Sequence, residues 1–164
     1  MLAPIVSITE FNKLNIPKDE IVVTSGGFDP IHPGHISSII DSKRFGTVLA
    51  VIVNGDWFLT NKKGKPFQDL ETRCMIVAGI REVDYVIPFE IENDTTVSKA
   101  LEEIKPGTFT KGGDRDKPEN IAEWNTCYTN NIIVEMGVGL DKEWSSSDFL
   151  KDWEDFLKVE RCII

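Results

Sequence analysis

His32 and His35, the chain's two histidines, stand three residues apart in the segment Gly26-Gly27-Phe28-Asp29-Pro30-Ile31-His32-Pro33-Gly34-His35. Pro33 suits the first turn of a helix, and side chains three apart on a helix share one face. Both rings can therefore donate hydrogen bonds to a single phosphate. The free N–H groups and the dipole of that first turn favour an anion at the same place. Gly26 and Gly27 let the backbone come close to such a group. Phe28 and Asp29 complete the turn, and Asp29 reads either as structural or as an aid in placing Mg²⁺.

Three further clusters carry chemistry of the same kind. Asn61-Lys62-Lys63-Gly64-Lys65-Pro66 gathers three lysines around a glycine in a chain of net charge -9. It follows a strand end and reads as a phosphate-binding loop, with Arg73 shortly beyond it. Lys111-Gly112-Gly113-Asp114 follows another strand, and paired glycines there suit close backbone contact with a planar base or a phosphate. Ser145, Ser146 and Ser147 precede the last helix. Ser145 and Asp148 have the spacing of a capping box, and the serine hydroxyls with the helix N–H groups suit phosphates as well.

Composition narrows the partners. The 164 residues fit one domain with a proper core. A net charge of -9 disfavours nucleic acid and anionic membranes as partners. Cys74, Cys127 and Cys162 are odd in number and far apart, so neither a disulfide framework nor a protein-held metal site is expected, and a reducing, cytoplasmic setting fits. No stretch has the length or apolarity of a membrane span.

The clusters need elements to position them. Ile21 to Thr24, Val48 to Val53, Tyr85 to Phe89, Thr108 to Thr110 and Asn131 to Glu135 read as five short strands. Helices are expected over Gly34 to Ser42, Leu70 to about Arg81, Asp94 or Thr95 to Ile104, from Pro118, and from about Ser145. The last carries Phe149, Leu150, Trp153, Phe156 and Leu157 as an amphipathic stripe. Trp124, Trp153 and Phe156 read as core or dimer surface, and the cysteines as inert. Residues 1–20 read as an N-terminal extension, with a helical turn near Thr9 to Leu14, leading into a single domain over 21–164. Apolar strands alternating with helices predict an α/β, Rossmann-like, doubly wound five-stranded parallel sheet. Ligands on such sheets bind beyond the carboxyl ends of the strands, which gathers all four clusters at one end.

The opening segment resembles the GxFDxxHxGH signature of the nucleotidyltransferase superfamily that includes cytidylyltransferases, pantetheine-phosphate adenylyltransferase and class I tRNA synthetases, and every specified position is matched. Lys65-Pro66 with Leu70-Glu71-Thr72-Arg73 is similar to the KP…LExR region of heptose-1-phosphate adenylyltransferase and glycerol-3-phosphate cytidylyltransferase, and Val83 to Pro88 to their VDxVIP strand. Lys111 to Asp114 is similar to the VKGGDY segment of the heptose-1-phosphate enzymes, with Arg115 in place of the tyrosine and Lys142 near the place of a family arginine.

The resemblance implies the adenine-nucleotide α-hydrolase-like variant of the fold, in a homodimer. It implies transfer of AMP or CMP from an NTP to a phosphorylated sugar or polyol, with release of pyrophosphate and with Mg²⁺ held by the triphosphate. The resemblance is nearest to the heptose-1-phosphate adenylyltransferases; a cytidylyltransferase for glycerol phosphate or a similar polyol phosphate is the rival within that chemistry, and a catalytically silent nucleotide-binding protein is the reading from another class. His32 and His35 are then transition-state donors, a role worth on the order of 100- to 1000-fold in rate. Lys65 and one of Lys62 or Lys63 contact phosphates, and Arg73 helps to fix the site. Gly26 to Asp29, Lys111 to Asp114 and Ser145 to Ser147 surround the nucleotide.

Overall fold

Neighbouring residues of a strand point to opposite faces, and the apolar runs of this chain are long enough to serve both. Ile21 and Val23 join a core with Phe11, Ile52, Ile87, Leu101, Ile104 and Phe109. Val22 joins a separate core with Leu49, Val51, Ile39, Val77 and Val86. Each fully buried aliphatic side chain contributes roughly 1.5–3 kcal/mol, so both faces must be covered.

The computed structural model describes residues 1–113, 115–141 and 143–161, with side chains through Val159. Asp114, Lys142 and Cys162 from the sequence reading lie outside the described residues. Five parallel strands form one sheet in the order β3-β2-β1-β4-β5. They are β1 (Ile21–Gly26), β2 (Val48–Asn54), β3 (Tyr85–Phe89), β4 (Thr108–Gly112) and β5 (Ile133–Val138). Seven helices accompany them among the described residues: α1 (Ile8–Asn12), α2 (Pro33–Ser42), α3 (Asp56–Lys63), α4 (Leu70–Ala78), α5 (Ser98–Ile104), α6 (Trp124–Thr129) and α7 (Ser146–Arg161). This is the expected doubly wound α/β sheet. Its chain reversal lies between β1 and β4, where such sheets open a crevice.

Several boundaries move for identifiable reasons. α5 starts at Ser98 rather than at Asp94 or Thr95, because the Asp94 carboxylate accepts from Thr96 N at 2.8 Å and closes a local turn instead. Pro118 opens only a single 3-10 turn over Pro118–Asn120, and the true helix begins at Trp124. β5 begins at Ile133 because Asn131 sits at φ 55°, outside extended geometry. α4 ends at Ala78, where the Gly79 N–H turns back to the carbonyl of Ile76. α3 is a helix where the sequence predicts only a loop over Asn61 to Pro66.

Residues 1–20 pack onto the body. Val6 N donates to Val86 O at 2.9 Å and Val86 N to Pro4 O at 3.0 Å, which covers the β3 edge that would otherwise template association. α1 is closed by a reciprocal capping box between Ser7 and Glu10, and Phe11 sets its ring edge-on to Tyr85 at 5.3 Å. No described helix is long and apolar enough to cross a membrane.

Candidate active site

The turn from β1 into α2 is built around the histidines. His32 is the N-cap of α2, and its Nδ1 accepts from His35 N at 3.3 Å. That bond leaves the proton of a neutral His32 on Nε2, which can donate into the cleft. The two rings stack with centroids 3.6 Å apart and planes 18° from parallel. Phe28 lies edge-on to His35 at 5.1 Å, and its backbone is held at φ 51°. The His35 Nδ1 is buried without a partner among the described residues. Burial first, then His32 and Lys62, push the His35 imidazole down to about 3, and burial lowers His32 as well. At neutral pH the pair is uncharged.

The glycines of this turn make room for side chains. A Cβ on Gly26 would stand 2.9 Å from the Phe28 ring, and one on Gly27 would stand 2.9 Å from Leu59. Their lack of a side chain serves the packing of the turn, and both still face the cleft.

α3 separates the two adjacent lysines. Lys62 lines the cleft, with its ammonium 5.8 Å from the Phe58 ring centre and near enough to depress His35. Lys63 turns the other way and pairs with Asp29 at 2.6 Å. The choice between them that the sequence leaves open thus falls on Lys62 as the cleft residue. Asp29 is 2% exposed, and its carboxylate also accepts from Phe67 N at 2.8 Å and Gln68 N at 2.7 Å. It tethers the loop after α3. Lys65 is exposed on that loop and is not brought to the cleft wall, nor are Asp29, Lys63 and Arg73.

Arg73 is fully buried. Its guanidinium donates to Gly27 O at 2.9 Å, Asn54 O at 2.5 Å and Gln68 O at 3.0 Å, and pairs with Asp56 at 2.6 Å. One planar fork therefore joins the histidine turn, the end of β2, the start of α3 and the loop before α4. α3 also depends on Glu90, just past β3. Gly55, its N-cap, has no side chain, and the Glu90 carboxylate accepts from Asp56 N at 2.7 Å and Trp57 N at 2.8 Å.

The opposite wall comes from β4 and the entry to α7. Lys111 pairs with Glu123 at 3.2 Å and stands 4.7 Å from the Phe109 ring centre; burial lowers its ammonium from the ordinary range, and Glu123 opposes that. A Cβ on Gly112 would collide with Ser38 of α2 at 2.4 Å. Ser145 caps α7, its hydroxyl accepting from Asp148 N at 3.3 Å. Ser146 donates to Pro30 O at 2.7 Å and locks α7 to the histidine turn. Phe149 meets His32 edge-on at 6.2 Å. Trp153 and Phe156 stack on each other and are largely exposed, so they are surface and not core of this chain. Cys74 and Cys127 are buried, and burial pushes each thiol up to about 11.

Together these walls enclose a cleft of about 600 Å³. It gathers Gly26, Gly27, Phe28, His32, His35, Lys62, Lys111, Gly112, Gly113, Ser145, Ser146 and Ser147 from the sequence reading. It also recruits Asn54, Phe58, Thr95, Arg115, Glu123 and Trp144. Asn54 had a visible signal, as a polar residue ending an apolar strand; Phe58 and Thr95 had none. Among the described residues no group of three or more His, Cys, Asp or Glu side chains could hold a metal ion.

Known proteins are similar to this chain in sequence and in fold. Residues 23–156 match the cytidylyltransferase-like family model. The chain is 39% identical over 120 residues to the bifunctional protein HldE of Actinobacillus pleuropneumoniae serotype 5b, a match covering 72% of this chain and 24% of that protein. It is 36% identical over 135 residues to the HldE of Haemophilus ducreyi, covering 81% and 27%. The chain thus spans about a quarter of the length of the curated relatives it matches. Among solved structures, a lipopolysaccharide core biosynthesis protein from Thermoplasma volcanium superposes with a TM-score of 0.60 at 28% identity, over 75% of this chain and 98% of that one. A pantoate-beta-alanine ligase from Francisella tularensis, complexed with beta-gamma ATP and beta-alanine, shares the fold with a TM-score of 0.63 at 20% identity, over 89% of this chain and 72% of that one. With the histidine signature, the sheet order and the family match in agreement, the chain belongs to the cytidylyltransferase-like family of nucleotidyltransferases.

Proposed function

We propose that the chain transfers AMP or CMP from an NTP to the phosphate of a sugar or polyol phosphate and releases pyrophosphate. The observation that carries this is the stacked, uncharged His32–His35 pair facing the cleft beside Lys62. The chain reversal divides the cleft. The β4 end and the first turn of α7 offer N–H groups and hydroxyls suited to the triphosphate. The ends of β2 and β3 with α3 leave space for the acceptor.

An oxygen of the acceptor phosphate attacks the α-phosphorus, and a new P–O bond forms in line. The bond from that phosphorus to the α–β bridging oxygen breaks, and pyrophosphate leaves with the electron pair. The attacking oxygen is already ionised, so no general base and no covalent enzyme intermediate are required. Charge gathers on the equatorial oxygens, where fixed donors meet it without reorganising. Neutral imidazoles suit this role because their N–H groups are present at working pH. Lys62 offsets the charge of the two anions brought together. Lys65 would have to close in from its loop with the substrate. Mg²⁺ would be held mainly by the phosphate oxygens of the NTP and would offset their charge; the Asp29 carboxylate is already committed to Lys63 and the loop amides.

A homodimer and a cytoplasmic setting belong to the same proposal. The exposed apolar stripe of α7 supports the first, and the free, buried Cys74 and Cys127 support the second. Incubation with each NTP, Mg²⁺ and a panel of sugar and polyol phosphates should release pyrophosphate for at least one pair. Tight NTP binding with no pyrophosphate from any pair would instead mark a silent nucleotide-binding protein. Sedimentation across a concentration series reads the oligomeric state.

A further inference from the structure

Asn54 ends β2, where its backbone is paired with β3 opposite Phe89 and its carbonyl is held by Arg73. Asn54 lines the cleft. Its Oδ1 is buried without a hydrogen-bond partner among the described residues. A buried amide oxygen left unpaired is costly, and it persists where a ligand completes it. Four and eight residues further along the same wall come Phe58 and Lys62. The Phe58 ring is half-buried, with the Lys62 ammonium above it. The wall thus runs from a cation near the histidines, across an aromatic face, to an amide whose oxygen is unpaired among the described residues.

We propose that Asn54 reads the hydroxyl groups of the acceptor, and that Phe58 carries its C–H face. This rests on the transferase reading of the cleft and assigns the acceptor's specificity within it. An amide both donates and accepts, which matches hydroxyls, since each of them does the same. An anionic group would call for a cation at this end, and a purely apolar body would strand the amide. The acceptor is therefore a polyhydroxy phosphate: its phosphate lies toward Lys62 and its hydroxyls toward the end of β2.

Equilibrium binding tests this independently of turnover. With the full chain, Mg²⁺ and a non-hydrolysable NTP analogue present, glucose 1-phosphate or glycerol 3-phosphate should bind at least about tenfold tighter than propyl phosphate, the scale of one lost buried hydrogen bond. Asn54→Ala should abolish that preference while leaving propyl phosphate affinity within about twofold. Asn54→Ser, the milder change for folding, should lose it too, since the serine Oγ sits one bond nearer the backbone and falls short of the groups that the amide would meet. Wild-type chain that does not distinguish hydroxylated from plain phosphates overturns the proposal, as does an Asn54→Ala chain that keeps the preference. A preference that depends on Asn54 without pyrophosphate release from any acceptor would leave this assignment standing and remove the transferase reading alone.

Discussion

His35 sits against Phe28 and over His32, and the same burial that makes it uncharged makes it sensitive to acid. Its folded value, about 3, lies below the ordinary histidine value of 6.5. The neutral form therefore belongs to the folded state. Its contribution to stability is complete above about pH 6.5 and is lost as pH falls toward 3. One such proton adds a slope of up to about 1.4 kcal/mol per pH unit in that window. Urea melts of His35→Gln at pH 7, 5 and 4 should show a shallower loss than the parent; parallel losses would contradict the burial account. In catalysis the same ring should act on the transition state. His35→Ala is expected to lower kcat by about 100- to 1000-fold with NTP affinity changed far less, as read by steady-state kinetics beside calorimetry. Equal losses in both would assign the ring to ground-state binding.

Strands were the legible elements, because β-branched runs such as Val48 to Val53 are too short for a helix and too apolar for a loop. α3 was not legible. Its eight residues bury only Leu59 among apolar side chains, and its cap comes from Glu90, 34 residues downstream. No local pattern encodes that. Its absence from the sequence reading also hid which of Lys62 and Lys63 faces the cleft. Glu90→Ala should cost about 1 kcal/mol, the typical loss of an N-cap, and so lower the melting temperature by roughly 2–4 °C. It should also raise the acceptor KM, because α3 carries Lys62 and Phe58. Arg73 was visible as a residue type, but its burial was not. A phosphate-contacting surface arginine would be replaceable at little cost to stability. Here Arg73→Ala strands three backbone carbonyls, and denaturant melts should show a loss of about 3–5 kcal/mol. A loss near zero would return Arg73 to the surface role.

At the scale of the whole molecule the histidine signature and the doubly wound parallel sheet are readable together, since both follow from strand–turn–helix units in succession, whereas the strand order β3-β2-β1-β4-β5 is not. Nor is the closure of the cleft, because Ser146 reaches Pro30 across 116 positions of sequence. That closure makes the fold and its ligand thermodynamically linked. Saturation with Mg·NTP at 100 times its dissociation constant should stabilise the chain by about 2.7 kcal/mol and raise the melting temperature by roughly 5–10 °C; no shift would mean that the folded state does not bind it. Trp144 gives the same cleft an optical handle. Of the chain's four tryptophans, only its indole lies on the cleft wall, where a Cβ on Gly34 would stand 3.5 Å from the ring. Its emission should report solvent polarity and quenching by a neighbouring base, so occupancy is measurable without any label. A signal that survives Trp144→Phe would have to originate in Trp57, Trp124 or Trp153, away from the nucleotide.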